Sequence, residues 1–428
     1  MKKVLVFSML SFTAFSGFSQ SIDKIINAKE VAAIENVLAS DSLRGRATFT
    51  DDIEKASNFI ENKFQKIGLQ PFPGAKNFRQ EFFMNQSTNT VANITIDGAV
   101  IPDSLVGIIS FQPKVDLTEK DNVKIIKLSA GDNIRQKIGA ILKSKENLLV
   151  LVDPSFERYR SILRHLGKES MTPETNTIVF LFGVDNVKTF NIHLENTIVK
   201  KPLNNVVGIL PGKTLPDEYV IFSAHYDHLG VGQPVNGDSI YNGANDDASG
   251  VTAVLSLAKY FKKANNNART IIFATFTAEE IGEFGSQYFS KQFDPAKVVA
   301  MFNIEMIGTE SKWGKNSAYI TGYDKTDMGK ILERNLTGSA FKFYPDPYTE
   351  QHLFYRSDNA SLAKLGVPAH TISTSKMDNE PNYHKVSDEI STLDMDNMAE
   401  IIKAIALSST TIVDGKDTPT RVDTSKLN

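Results

Sequence analysis

Seven histidines and no cysteine limit what chemistry this chain of 428 residues can perform. Without cysteine there is no thiol nucleophile, thiolate zinc site, cysteine-held cluster or disulfide framework. A transition metal would have to sit among imidazoles and carboxylates, and a few such residues stand at telling places. His225, Tyr226, Asp227 and His228 close an apolar run. Residues two apart on a strand share a face, and a ligating imidazole needs a partner for its second ring nitrogen, so His225 reads as a ligand and Asp227 as its orienter. His228 reads as structural. The adjacent Glu279 and Glu280 follow a second apolar run, and neighbouring side chains diverge. One carboxylate can then bind a metal while the other reaches a metal-bound water. Glu305 follows a third run. Asp246 and Asp247 precede a helix, where caps are common, and His384 lies in a polar loop with Asn382, Lys385 and Asp388. Each piece alone also fits a solvated face or a cap. Their joint order along one pattern is the argument for a common site.

That pattern is α/β. Strand-like runs occur at 219–224, 270–276, 298–303 and 369–373, with an amphipathic helix at 251–261 and a last helix near 395–407. Nearly continuous apolar strands alternating with amphipathic helices imply a mixed, mostly parallel sheet flanked by helices. In such sheets sites gather beyond the carboxyl ends of the strands, where the residues above fall. Upstream, Ile53, Ala56, Ile60, Phe64 and Ile67 recur at helical spacing and Gly68 stops the helix.

Length and texture suggest two parts, at roughly 100–200 residues per domain. Residues 20–90 and 203–413 read as one domain. Residues 91–202 read as an inserted α+β module with short strands at 106–111, 148–152 and 178–182 and a helix at 134–142. The polar tail 414–428 reads as loose. Met1, Lys2 and Lys3 precede a short apolar run, and Gly17 and Ser19 suit a cut before Gln20. Residues 1–19 therefore read as a signal peptide, and the chain as exported to the periplasm or the outside, with no membrane span in the mature part. With 47 Lys+Arg against 50 Asp+Glu, a nucleic-acid partner bound through a basic surface is not expected.

At His225-Tyr226-Asp227, Asp246-Asp247-Ala248-Ser249-Gly250, Glu279-Glu280, Asn303-Ile304-Glu305-Met306 and Tyr383-His384, the sequence resembles the exported co-catalytic dizinc aminopeptidases. Glutamate carboxypeptidase, the transferrin receptor and glutaminyl cyclase are relatives of that family. Ser42-Leu43-Arg44-Gly45-Arg46 resembles its N-terminal region, and the inserted module lies where many members carry a protease-associated domain. The resemblance implies two zinc ions and peptide substrates. His225 and Glu305 would hold one ion, Glu280 and His384 the other, and Asp246 would bridge them across a peptide to Asp247 that is strained or cis. Glu279 would be the general base. The donors are all nitrogen and oxygen, as zinc accepts. Glu305 stands where the family usually has Asp, which moves the carboxylate outward by about one carbon–carbon bond. Tyr355 and Arg356 precede Ser357-Asp358 in a stretch resembling the family's segment before its last histidine.

The expected function is a zinc aminopeptidase. A single-zinc enzyme cyclising N-terminal glutamine is the second reading, kept open by Glu305. A silent, receptor-like binding protein is the third, disfavoured because the base and all histidine positions are present.

Overall fold

The computed structural model describes residues 22–427. The expected signal peptide, 1–19, lies outside them. Among the described residues no helix is long and apolar enough to cross a membrane. The chain divides into two units, one made of residues up to Glu81 and from Leu203 onward, the other of Phe82–Pro202.

The first unit is an α/β layer structure around a mixed, mostly parallel sheet. Strand Leu215–His225 pairs in parallel with Arg269–Phe276 on one side and Val298–Ile304 on the other. Val298–Ile304 pairs in parallel with Ala369–Ser373, which is antiparallel to Ser317–Ile320. Lys342–Pro345 joins Ser317–Ile320 in parallel, and residues 206–210 run antiparallel to Arg269–Phe276. All four strand runs expected from the sequence are present.

Burial on both faces explains why those runs are apolar throughout. Val220, Phe222 and Ala224 enter one core cluster, while Ile221 between them enters the other. Phe222 is fully buried and stacks on Phe261, Phe273 and Phe302. Phe261 comes from helix Ser249–Ala264, which is buried along almost its whole length. Helix Asp51–Ile67 begins at a Thr50 cap and ends at left-handed Gly68, and it contributes Ile53, Ala56, Ile60 and Phe64 to the same core. Helix Met395–Ser408 also packs there.

The tail differs from expectation. Arg269 donates to the carbonyl of Asp417 and the hydroxyl of Thr418 at 2.6 and 2.7 Å. Val422 is buried and donates to the carbonyl of Gly366, and Arg421 donates to that of Val298. Residues 414–427 are therefore tied down. Polar composition says where side chains can be solvated, not whether arginines such as Arg269 and Arg421 will bind the backbone.

The second unit has a four-stranded sheet ordered Val106–Ser110, Thr177–Phe182, Asn147–Val152, Val123–Leu128. Its first pair is antiparallel and the others parallel. Leu149, Leu151, Val179 and Leu181 face one core, and Leu148, Val150, Ile178 and Phe180 the other. Helix Ile134–Leu142 falls where the sequence places it.

Candidate metal centre

The register of the sheet delivers the site. His225 is paired with Phe276, and Ser223 with Asn303, so three parallel strands end side by side. His225 is the last residue of its strand; Glu279 and Glu280 follow the second; Glu305 follows the third. Asp246 comes from the turn Ala244–Ala248 that starts the buried helix, and its peptide to Asp247 is cis. His384 comes from the loop before helix Met395–Ser408.

These residues meet in two groups that share Asp246. One atom each of His225, Asp246 and Glu305 lie within 4.8 Å of one another, and so do atoms of His228, Asp246 and Glu280. Asp246 divides its oxygens: Oδ1 is 3.2 Å from Nε2 of His225 and Oδ2 is 3.3 Å from Nε2 of His384. Nε2 of His384 is also 3.1 Å from Oε2 of Glu280. Donors about 2.0–2.1 Å from a tetrahedral zinc lie roughly 3.3 Å apart, so these separations suit ligands that share an ion. The extra methylene of Glu305 does not carry its carboxylate out of reach.

The residues also fit a metal by what they lack. His225 Nδ1 lies 3.1 Å from the main-chain oxygen of Asp227. A carbonyl only accepts, so Nδ1 carries the proton and Nε2 presents a lone pair. That Nε2 is buried without a hydrogen-bond partner, as is Oε2 of Glu305. Buried polar atoms seldom stay unpaired, and two facing one acidic pocket point to a cation. Electrostatics agree. Burial opposes a charge on His225, yet Glu279, Asp246 and Asp247 raise its proton affinity well above the usual imidazole range. Burial likewise opposes a proton on His384, but Asp246 and Glu280 raise its pKa to about 10. Without metal the carboxylates draw protons onto the imidazoles; a dication would neutralise the same excess.

Asp227 does not act as its spacing suggests. The strand ends at His225, so strict alternation no longer applies, and the Asp227 carboxylate is 3.9 Å from Nδ1. It accepts instead from the backbone amides of Glu279 and Glu280 at 3.1 and 3.3 Å and from Thr48 Oγ1 at 3.1 Å. The ring is oriented by the Asp227 carbonyl. The cap position of the helix falls to Ala248; Asp247, just before it, accepts from the amide of Gly250 at 3.0 Å and from that of Met306 at 3.1 Å. Burial raises the Glu279 carboxyl well above the usual carboxylate range.

Three supporting residues were not singled out for these roles by sequence. Arg46 is buried, and its guanidinium donates to the carbonyls of Leu38, Tyr226, Asn242 and Gly243 at 2.7, 2.9, 2.6 and 3.0 Å. It clamps the His225 strand end to the approach of the Asp246 turn. Asp388 accepts from the amides of Asn245 and Asp246 at 2.8 and 3.0 Å. His228, assigned a structural part, stands against Glu280. The available signals were the Arg-Gly-Arg triplet at 44–46 and a second histidine three residues after the first.

Beside Glu305 opens a small cleft of about 40 Å³, lined among others by Tyr319, Leu353, Arg356, Ser373, Met377 and Tyr383. Arg356 thus borders the site. Tyr355 lines a separate hollow with Tyr323 and Phe354.

Comparison with known proteins covers the stretch of chain in which these residues lie. Residues 205–409 match Peptidase family M28. A probable zinc metalloprotease of Pyrenophora teres f. teres is 36% identical over 116 residues, covering 27% of this chain and 24% of that protein. Leucine aminopeptidase 1 of Neurospora crassa is 29% identical over 260 residues, covering 56% of this chain and 61% of that protein. The chain thus spans less than two thirds of the length of these curated relatives. In fold it is similar to BSAP, a zinc aminopeptidase from Bacillus subtilis, with TM-score 0.55 and 17% identity over 92% of this chain and 97% of that one.

Proposed function

Starting from a peptidase family M28 unit at residues 205–409, we propose that the protein is a zinc-dependent aminopeptidase removing N-terminal residues from peptides. The observation that carries this reading is the division of Asp246 between His225 and His384, the geometry of a carboxylate bridging two ions.

His225 and Glu305 would hold one zinc, Glu280 and His384 the other, and Asp246 both. Zinc bound there supplies an acidified water and a polarised peptide carbonyl. The protein supplies the rest. Glu279, with its amide fixed by Asp227, stands next to the ligand Glu280 and takes the proton of the attacking water at its carboxylate. It then returns that proton to the departing amine. His225 is held with Nε2 inward by the hydrogen bond of Nδ1 to the Asp227 carbonyl. Arg46 and Asp388 keep the Asp246 turn against the strand ends. A free α-amino group on the substrate would offer the metals one more nitrogen donor, which favours cutting at the first residue.

The test is hydrolysis of aminoacyl reporter substrates by purified protein, with a metal count. Activity lost on chelation and restored by zinc, near two zincs per chain, supports the proposal. Cleavage of peptides with blocked N-termini at equal rate contradicts it.

A further inference from the structure

We propose that His228 is a positioning residue for the Glu280–His384 half of the metal centre: it occupies one oxygen of Glu280 so that only the other faces the ion. The inference rests on the zinc reading above and goes beyond its ligand set.

Nδ1 of His228 lies 2.7 Å from Oε1 of Glu280, while Oε2 of the same carboxylate faces Nε2 of His384 at 3.1 Å. An ionised carboxylate only accepts, so Nδ1 carries the proton and donates it. Nε2 of His228 has no hydrogen-bond acceptor beside it, so no second partner competes for that proton. The next nearest carboxylate oxygen to Nδ1, Oδ2 of Asp246, is at 3.9 Å and beyond hydrogen bonding. At 2.7 Å from Oε1 the ring nitrogen is closer than two donors on one tetrahedral zinc would stand, so His228 fits as an orienter and not as a further ligand.

The ring's seat is built for this contact. Its side chain is 0% exposed and that of Glu280 7%. The backbone amide of His228 donates to the carbonyl of Arg46, the residue that clamps the strand end to the Asp246 turn. Gly243 supplies room, since a Cβ there would stand 2.6 Å from Cγ and Cδ2 of the imidazole. The ring also meets His384 edge to face, with centroids 5.8 Å apart. A glutamate left free can turn and chelate one ion with both oxygens, or swing away. With Oε1 occupied by a buried donor, Glu280 binds through Oε2 alone and Asp246 keeps its bridging place.

The test compares His228→Leu, His228→Asn and His228→Gln in the full chain, using zinc itself as the probe. Zinc is titrated against a chromophoric chelator, and unfolding of the metal-free proteins is followed in parallel. The side-chain amide of Asn reaches about where Nδ1 sits, and that of Gln extends past it. His228→Leu is expected to keep one tight zinc and to bind the second about 10–100-fold more weakly. His228→Asn is expected to recover most of that loss, and His228→Gln little of it. If His228→Leu does not fold, the Asn and Gln variants alone decide. Two zincs bound by all variants as in the wild type would overturn the proposal. So would equal weakening of both ions together with a lower metal-free midpoint, which is the mark of packing alone. A wild-type chain that binds no zinc refutes the underlying reading instead, and the proposal with it.

Discussion

Asp227 holds Glu279 by its backbone: Oδ1 accepts the Glu279 amide at 3.1 Å while Oδ2 accepts that of Glu280 at 3.3 Å. One carboxylate thereby fixes the proposed base and the proposed ligand as a pair. It is fully buried, and burial raises its pKa. Asp227→Asn replaces one acceptor with an NH2 group facing an amide donor. Its kcat should fall on the order of 10–100-fold, as for other supports of a metal site. Steady-state kinetics on aminoacyl reporters check this, and an unchanged kcat would contradict the supporting role.

Glu279→Gln keeps shape and removes the proton acceptor. Turnover should drop about 10²–10⁴-fold, the usual worth of general acid–base catalysis. Zinc stoichiometry should stay at the wild-type value, because the ligands are untouched. Full activity would eliminate the mechanism.

Arg46→Met leaves the carbonyls of Leu38, Tyr226, Asn242 and Gly243 without their donor in a buried setting. Unpaired buried acceptors cost about 1–3 kcal/mol each before relaxation, so a net loss of about 3–5 kcal/mol is expected. Urea unfolding of the metal-free proteins measures it.

His370 gives a pH signature away from the metal centre. Its Nδ1 donates to the Thr321 carbonyl and its Nε2 accepts from Thr326 Oγ1, both at 2.8 Å. Burial pushes its pKa down to about 4. The unfolded imidazole binds its proton near 6.5, so between pH 6.5 and 4 the unfolded state holds more protons. This contribution is complete above pH 6.5 and is lost as pH falls through the folded pKa, by about 3 kcal/mol in all. His370→Asn should be less stable at pH 7.5 but show a shallower slope across that window. Equal slopes in urea unfolding at stepped pH would refute the assignment.

Much of the fold was legible in sequence because burial on both faces of a sheet makes strands such as Val298–Ile304 continuously apolar, and the 53–67 helix carried its own period and stop. The site was legible as a set of residue types at strand ends. What periodicity could not show was the use of each atom. Asp227 turns from His225 to the amides of Glu279 and Glu280 once its strand has ended, and the polar tail is captured by Arg269 and Arg421.

By itself the sequence determined the donor chemistry: without cysteine, only imidazoles and carboxylates were available, and they fall at the ends of apolar runs. Tertiary structure alone decided which oxygen faces which nitrogen. Asp246 reaches both His225 and His384, and His228 meets Glu280, because a parallel register sets the strand ends side by side, and because Arg46, far off in sequence, joins the His225 strand to the Asp246 turn. Hydrogen-bond direction and fit at about 3 Å depend on such long-range contacts, which local spacing does not encode.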